Sequence, residues 1–123
     1  MTYHVLLVED EGLIRLTLAE TLEDAGYAVT EAVNGDEARL LLNAADQFDL
    51  LLTDIQMPGT ADGVDLARDF HQRHPNSPVI YMTGRPDMLA RVGSQSGREA
   101  LLRKPFGPAQ MLDALKTLLA KRH

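Results

Sequence analysis

The nonapeptide Leu50–Pro58, LLLTDIQMP, has a carboxylate directly after a run of apolar residues. Three leucines and a threonine are typical of a β-strand that is buried on both faces, and Pro58 with Gly59 then ends the strand and opens a loop. A charged side chain at the edge of a core is costly unless another group pairs with it. Asp54 therefore indicates a polar site at the end of a buried strand.

Around this stretch, short apolar runs alternate with longer segments of helical periodicity. The other predicted strands are Val5–Val8, Tyr27–Ala32, Val79–Met82 and Leu101–Leu102. Helices are predicted around Leu13–Ala25, Ala38–Ala45, Val64–Phe70, the segment 86–97 and Met111–Leu119. Five strands and five helices in strict alternation predict an α/β fold, with a parallel sheet covered by helices on both faces. Because no linker or repeat interrupts the pattern, we predict one domain over residues 1–123, without an output domain.

The composition narrows the classes of function. The chain has 123 residues, a formal net charge of −6 and no cysteine. The absence of cysteine excludes disulfides and thiolate metal sites, and it fits a cytoplasmic location. The negative charge disfavours sequence-independent binding to nucleic acid, which depends on lysine and arginine. We find no apolar run near the roughly 18 residues of a membrane span.

Polar residues follow four of the predicted strands. They are Glu9 with Asp10, then Asp54, Thr83 and Lys104. Because ligands bind beyond the carboxyl ends of the strands in open α/β sheets, we expect these side chains to form one site. Clustered carboxylates without cysteine favour Mg²⁺, and Glu9 with Asp10 form a pair suited to it.

The same residue types suit phosphoryl transfer. A carboxylate can attack phosphorus, and Asp54 is the best candidate because it stands alone on its strand. A divalent cation and Lys104 would neutralise charge on the phosphoryl group, and the hydroxyl of Thr83 could hold one of its oxygens.

Four motifs in the order VLLVEDE (5–11), DIQMPG (54–59), VIYMTGRP (79–86) and LLRKPF (101–106) resemble the receiver domain of bacterial two-component response regulators. The resemblance covers essentially the whole chain. It implies a flavodoxin-like fold with strand order 2-1-3-4-5. It also implies that Asp54 accepts a phosphoryl group from a sensor histidine kinase or a histidine phosphotransfer protein.

The resemblance further implies roles for the individual residues. The implied Mg²⁺ ligands are Glu9, Asp10, Asp54 and the backbone carbonyl of Gln56. Thr83 and Lys104 would contact the phosphoryl oxygens and carry the conformational response, and the Lys104–Pro105 bond is expected to be cis. The chain would then be a signalling module and not an enzyme. It would act on a downstream protein as a monomer or weak homodimer, without direct contact with nucleic acid or membrane.

Three features depart from the family pattern. Leu101 stands where the family usually has an aromatic residue, three positions before the lysine, and it is expected to weaken the coupling of Thr83 to the output surface. The loop Pro58–Gly63 is slightly longer than usual. The glycines and serines of segment 86–97 predict a short or mobile helix there.

Two alternative functions remain open at this stage. Leu101 is compatible with a constitutive interaction module that has kept the site but lost the switch. A small metal-dependent phosphohydrolase that uses Asp54 would share the chemistry. Such enzymes usually need an inserted cap or an extra general acid, however, and neither is present at this length.

The remaining polar and apolar residues are assigned structural roles. We expect Leu40–Leu42 and the stripe Met111–Leu119 to face the core, and Asp62 with Asp65 to belong to the solvated start of the third helix. The histidines His4, His71, His74 and His123 show no ligand spacing and are expected at the surface.

Overall fold

The computed structural model describes residues 2–44, 47–88, 92 and 98–121. Its strands are β1 His4–Val8, β2 Ala28–Ala32, β3 Leu50–Asp54, β4 Val79–Thr83 and β5 Glu99–Arg103. Its α-helices are α1 Gly12–Asp24, α2 Gly35–Ala44, α3 Gly63–Arg73 and α4 Pro108–Ala120, and a 3₁₀ turn spans Pro86–Met88. Four of the five predicted helices are therefore present among the described residues. The other falls on segment 86–97, most of which lies outside them.

The five strands form one parallel sheet in the order β2-β1-β3-β4-β5, which confirms the predicted doubly wound, flavodoxin-like fold. This order makes β3 the central strand. Asp54 is the last residue of β3, and it lies opposite Met82 of β4. The sheet therefore brings Asp54 to the middle of its carboxyl edge.

Alternate residues of the strands fill two cores, one on each face of the sheet. On one face, Leu51 and Tyr81 pack with α2 and α3, including Phe70. On the other face, Leu52 and Ile80 pack with residues of α1 and α4. Every residue of β3 and β4 is buried, as the apolar runs predicted.

Two leucines of the helices are exposed, and one of them, Leu40, was predicted to face the core. Leu40 is 70 % exposed, because two residues of helix place it about 200° around the axis from the core-facing Ala38 and Leu42. Leu13, near the start of α1, is 73 % exposed. Three consecutive leucines on a helix thus cannot all face one core.

Local hydrogen bonds explain where two helices begin. The side chain of Asn34 accepts a bond from the backbone N–H of Glu37 at 2.8 Å and so caps the start of α2. Asp62 and Asp65 form a reciprocal capping box, with bonds of 2.9 and 3.2 Å. The prediction that Asp62 and Asp65 belong to the start of the third helix is therefore confirmed.

The histidines are less exposed than predicted. His4, His71 and His74 are half-buried, and the ring of His74 lies 5.0 Å from that of Phe70. His123 lies outside the described residues. Among the helices that the structure describes, none combines the length and the hydropathy that a membrane crossing requires.

Candidate functional site

The carboxyl edge of the sheet encloses a depression of about 180 Å³. It is lined by Glu9, Asp10, Glu11, Asp54, Gln56, Met82, Thr83, Gly84, Arg85 and Lys104. All six residues that the sequence predicted for the site are in this set. The structure therefore brings them together from the ends of β1, β3, β4 and β5.

Backbone contacts fix the positions of the key side chains. The N–H of Glu9 continues the sheet by donating to the carbonyl oxygen of Ala32 at 3.1 Å, and the N–H of Lys104 donates to that of Thr83 at 2.8 Å. The Lys104–Pro105 peptide is cis, as expected. At the start of α3, a Cβ on Gly63 would lie 2.0 Å from the carbonyl oxygen of Asp54, so only glycine allows this approach.

Lys104 binds two acidic side chains at once. Its Nζ lies 2.6 Å from Oε1 of Glu9 and 2.6 Å from Oδ1 of Asp54. Glu9 is 1 % exposed and Asp54 is 5 % exposed. Lys104 is therefore the pairing group that makes a carboxylate at the end of a buried strand tolerable.

The crowding of these three groups changes their pKa values. Burial and the hydrogen bond with Glu9 raise the pKa of Asp54 to about 8, although Lys104 acts against this shift. Burial also acts to raise the pKa of Glu9, but bonds with Asp54, Lys104 and the amide of Glu11 lower it overall. Burial acts to lower the pKa of Lys104, and its two acidic partners raise it overall. At neutral pH and without a cation, the pair of Glu9 and Asp54 therefore tends to retain one proton.

A third carboxylate completes a set of oxygen donors. Asp10 is exposed, and one carboxylate oxygen each from Glu9, Asp10 and Asp54 lie within 4.8 Å of one another. Oxygen donors alone fit a hard divalent cation such as Mg²⁺. The positive charge of such a cation favours loss of the proton from Asp54.

Thr83 and Gln56 line the site, but their side chains are engaged elsewhere. The hydroxyl of Thr83 donates to the carbonyl oxygen of Arg85 at 3.2 Å and accepts from its N–H at 3.0 Å. The guanidinium of Arg85 binds Asp87 at 2.8 Å and donates to the side-chain oxygen of Gln56. Arg85 was missed from the sequence, although it follows Thr83 by only two residues in the motif VIYMTGRP.

An apolar groove borders the site. It has a volume of about 570 Å³ and is lined by Leu13, Ile14, Thr17, Leu18, Lys104, Pro105 and Phe106. Lys104 belongs to both the groove and the acidic depression. The exposure of Leu13 gives the groove an open apolar wall beside the acids.

A family model described as "Response regulator receiver domain" matches residues 5–116. The transcriptional regulatory protein ResD of Bacillus subtilis is 36 % identical over 118 residues, which cover 95 % of this chain and 48 % of ResD. The aerobic respiration control protein ArcA of Escherichia coli is 34 % identical over 121 residues, which cover 98 % and 50 %. The chain thus spans about half the length of these curated relatives.

Solved structures agree with this match. The crystal structure of a response regulator receiver protein from Sinorhizobium medicae has a TM-score of 0.90 at 32 % identity, covering 99 % of this chain and 98 % of that one. The chemotaxis response regulator CheY4 of Vibrio cholerae has a TM-score of 0.81 at 28 % identity, with coverages of 96 % and 99 %. Over nearly their whole length, these chains share the fold described above.

Proposed function

The chain belongs to the family of response regulator receiver domains, and we propose that Asp54 accepts a phosphoryl group and thereby alters binding to another protein. Receiver domains are signalling modules of two-component systems. The observation that carries the proposal is the double contact of Lys104 with Asp54 and Glu9 at the carboxyl edge of the sheet. This contact joins a candidate nucleophile, the ammonium group of Lys104 and a second acid in one cluster.

The proposed transfer is a displacement at phosphorus. A carboxylate oxygen of Asp54 forms a bond to the phosphorus of a phosphohistidine while the phosphorus–nitrogen bond breaks. The electron pair of the broken bond stays on the imidazole nitrogen of the donor. The product is an acyl phosphate on Asp54 and a free histidine on the donor.

The neighbouring residues would serve this step in distinct ways. Asp54 attacks only as the carboxylate, so Lys104, which opposes the rise in the pKa of Asp54, favours the reactive form. After transfer, Lys104 can bind a phosphoryl oxygen in place of the Asp54 oxygen that it binds in the unmodified site. The hydroxyl of Thr83 can bind another once it leaves the backbone of Arg85.

The proposed cation is Mg²⁺, which Glu9, Asp10 and Asp54 would hold together with the backbone carbonyl of Gln56. The spacing of the three carboxylates supports this choice. When bound, Mg²⁺ supplies positive charge that stabilises the phosphoryl oxygens.

We propose a sensor histidine kinase or a histidine phosphotransfer protein as the donor. A protein donor must cover the depression for its histidine to reach Asp54. The apolar groove at Leu13 and Phe106 offers it a surface for docking directly beside Lys104. Because kinases use ATP, we place the exchange in the cytoplasm.

The first experiment is an intact-mass measurement after incubation with acetyl phosphate and Mg²⁺. We expect one added phosphoryl group that hydroxylamine removes, because hydroxylamine cleaves acyl phosphates. Asp54→Asn should remain unmodified. The matched control Asp69→Asn, on α3 and paired with Arg39 of α2, should be modified like the wild type. A folded wild-type chain that gains no mass, or a mass gain that persists in Asp54→Asn, contradicts the proposal.

Leu101 favours a second candidate function, a constitutive interaction module. It is a half-buried aliphatic residue opposite Tyr81, at the position where the resemblance implies an aromatic switch. This candidate predicts that a partner binds the phosphorylated and unphosphorylated forms with equal affinity. A difference in affinity between the two forms excludes it.

A further inference from the structure

Arg15, near the start of α1, joins three elements at the rim of the acidic cluster. Its Nη1 donates to the backbone carbonyl oxygen of Glu9 at 2.9 Å, and its Nε lies 3.3 Å from Oε1 of Glu31 on β2. The charged side chain of Arg15 is only 21 % exposed. Arg15 therefore ties α1 to the end of β1 and to the edge strand β2.

The peptide that Arg15 holds connects two of the candidate cation ligands. The carboxylate of Glu9 is fixed independently, by Lys104 and by the N–H of Glu11 at 3.1 Å. Asp10 is exposed, and no residue in the described parts of the chain donates a hydrogen bond to its carboxylate. Its position is therefore set through its backbone, and Arg15 holds the peptide group just before it.

The contact between Arg15 and the Glu9 carbonyl also counteracts repulsion between neighbouring acids. Residues 9–11 are three consecutive acids next to Asp54, and their mutual repulsion favours a more open loop. Arg15 opposes that opening, because it binds the backbone carbonyl of Glu9. Because Glu31 pairs with Arg15, the guanidinium adds little net positive charge to the place where a cation would bind.

We propose that Arg15 is a positioning residue of the cation site. It holds the peptide between Glu9 and Asp10, so that Asp10 stays where its oxygen and those of Glu9 and Asp54 lie within 4.8 Å of one another. The inference rests on the proposed function, since it takes this cluster to bind Mg²⁺.

The two possible effects of Arg15 on cation binding have opposite signs. If Arg15 acted only through its charge, its removal would strengthen Mg²⁺ binding, because a positive group near the site is lost. If Arg15 positions Asp10, its removal weakens binding, because the loop must be ordered each time a cation binds. The direction of the change therefore identifies the role.

The test is a calorimetric titration of the full chain with Mg²⁺ at neutral pH. Loss of a residue that orients metal ligands typically lowers affinity by about tenfold or more, and we expect about tenfold for Arg15→Ala. Arg15→Lys should restore part of the affinity, because one ammonium can bond to the Glu9 carbonyl but cannot also reproduce the contact with Glu31. The control Arg39→Ala removes an ion pair between α2 and α3 and should bind Mg²⁺ like the wild type.

A second measurement separates positioning from general loss of stability. Urea denaturation of Arg15→Ala and Arg39→Ala should give similar losses, while only Arg15→Ala loses Mg²⁺ affinity. Equal or tighter Mg²⁺ binding by Arg15→Ala overturns the positioning role and leaves the proposed function intact. A wild type that does not bind Mg²⁺ contradicts the proposed cation site itself, and this role with it.

Discussion

Replacing Asp54 with asparagine should stabilise the metal-free protein at neutral pH. In the folded chain, burial and Glu9 raise the pKa of Asp54 from 3.8 to about 8. A carboxyl group with a raised pKa contributes its full stability below pH 3.8. That contribution is lost as the pH rises towards 8, because the unfolded chain releases a proton that the folded chain keeps. Asparagine has the same shape and no proton to release.

The size of the effect follows from the width of this pH window. Each pH unit is worth about 1.4 kcal/mol, so between pH 3.8 and 7 Asp54 costs the wild type about 4 kcal/mol. The lowered pKa of Glu9 contributes to both chains, because Lys104 and the amide of Glu11 bind Glu9 in either of them. We therefore expect Asp54→Asn to exceed the wild type by up to about 4 kcal/mol at pH 7, and nearly to match it at pH 4.

The assay is urea denaturation in EDTA at pH 4, 5.5 and 7, followed by far-ultraviolet circular dichroism. Asp69→Asn serves as the control, because it removes a half-exposed carboxylate outside the site. Adding Mg²⁺ at pH 7 should stabilise the wild type and narrow its gap to Asp54→Asn, since a ligand that binds only the folded state adds to stability. If Asp54→Asn is less stable than the wild type at pH 7, or if the gap does not change with pH, the reasoning is refuted.

Three further predictions concern other contacts of the site and the sheet. Lys104→Met removes the ammonium group from the buried pair of Glu9 and Asp54 and should lower the free energy of unfolding by about 3 kcal/mol at pH 7. Mg²⁺ should restore most of it, and equal losses in EDTA and in Mg²⁺ would contradict the pairing. Gly63→Ala brings a methyl group to 2.0 Å from the carbonyl oxygen of Asp54. It should cost about 2 kcal/mol in urea denaturation and slow labelling by acetyl phosphate, and wild-type values would disprove the close approach. Tyr81→Phe removes a hydroxyl that donates to Glu99 at 2.8 Å, so it should cost about 1 kcal/mol, whereas no loss would mean that water replaces the bond.

Most of the fold and the composition of the site were predictable, because both depend on short-range patterns. The leucines before Asp54 and the apolar run before Thr83 identified buried parallel strands, and parallel strands bring their carboxyl ends to one edge. The residues next to those ends then had to be neighbours. Lys104 could be assigned to the site for the same reason.

The contacts within the site could not be predicted, because they depend on side-chain directions and on chain segments far apart in sequence. Glu9 and Asp10 were predicted from the sequence as an equivalent pair. In the structure, Glu9 is buried against Lys104, whereas Asp10 is exposed. Arg15 reads as an ordinary polar residue of an amphipathic helix until its contact with the Glu9 carbonyl is seen. Arg85 likewise depends on a loop geometry that no periodicity encodes.

The bond between Glu9 and Lys104 links residues that are 95 positions apart, and this separation has a consequence for protein synthesis. All the candidate cation ligands, from Glu9 to Gln56, leave the ribosome before Lys104 does. Until Lys104 emerges and β5 pairs with β4, the nascent chain carries clustered acids without their ammonium partner. The cluster of Glu9, Asp54 and Lys104 therefore assembles only when the last strand is in place.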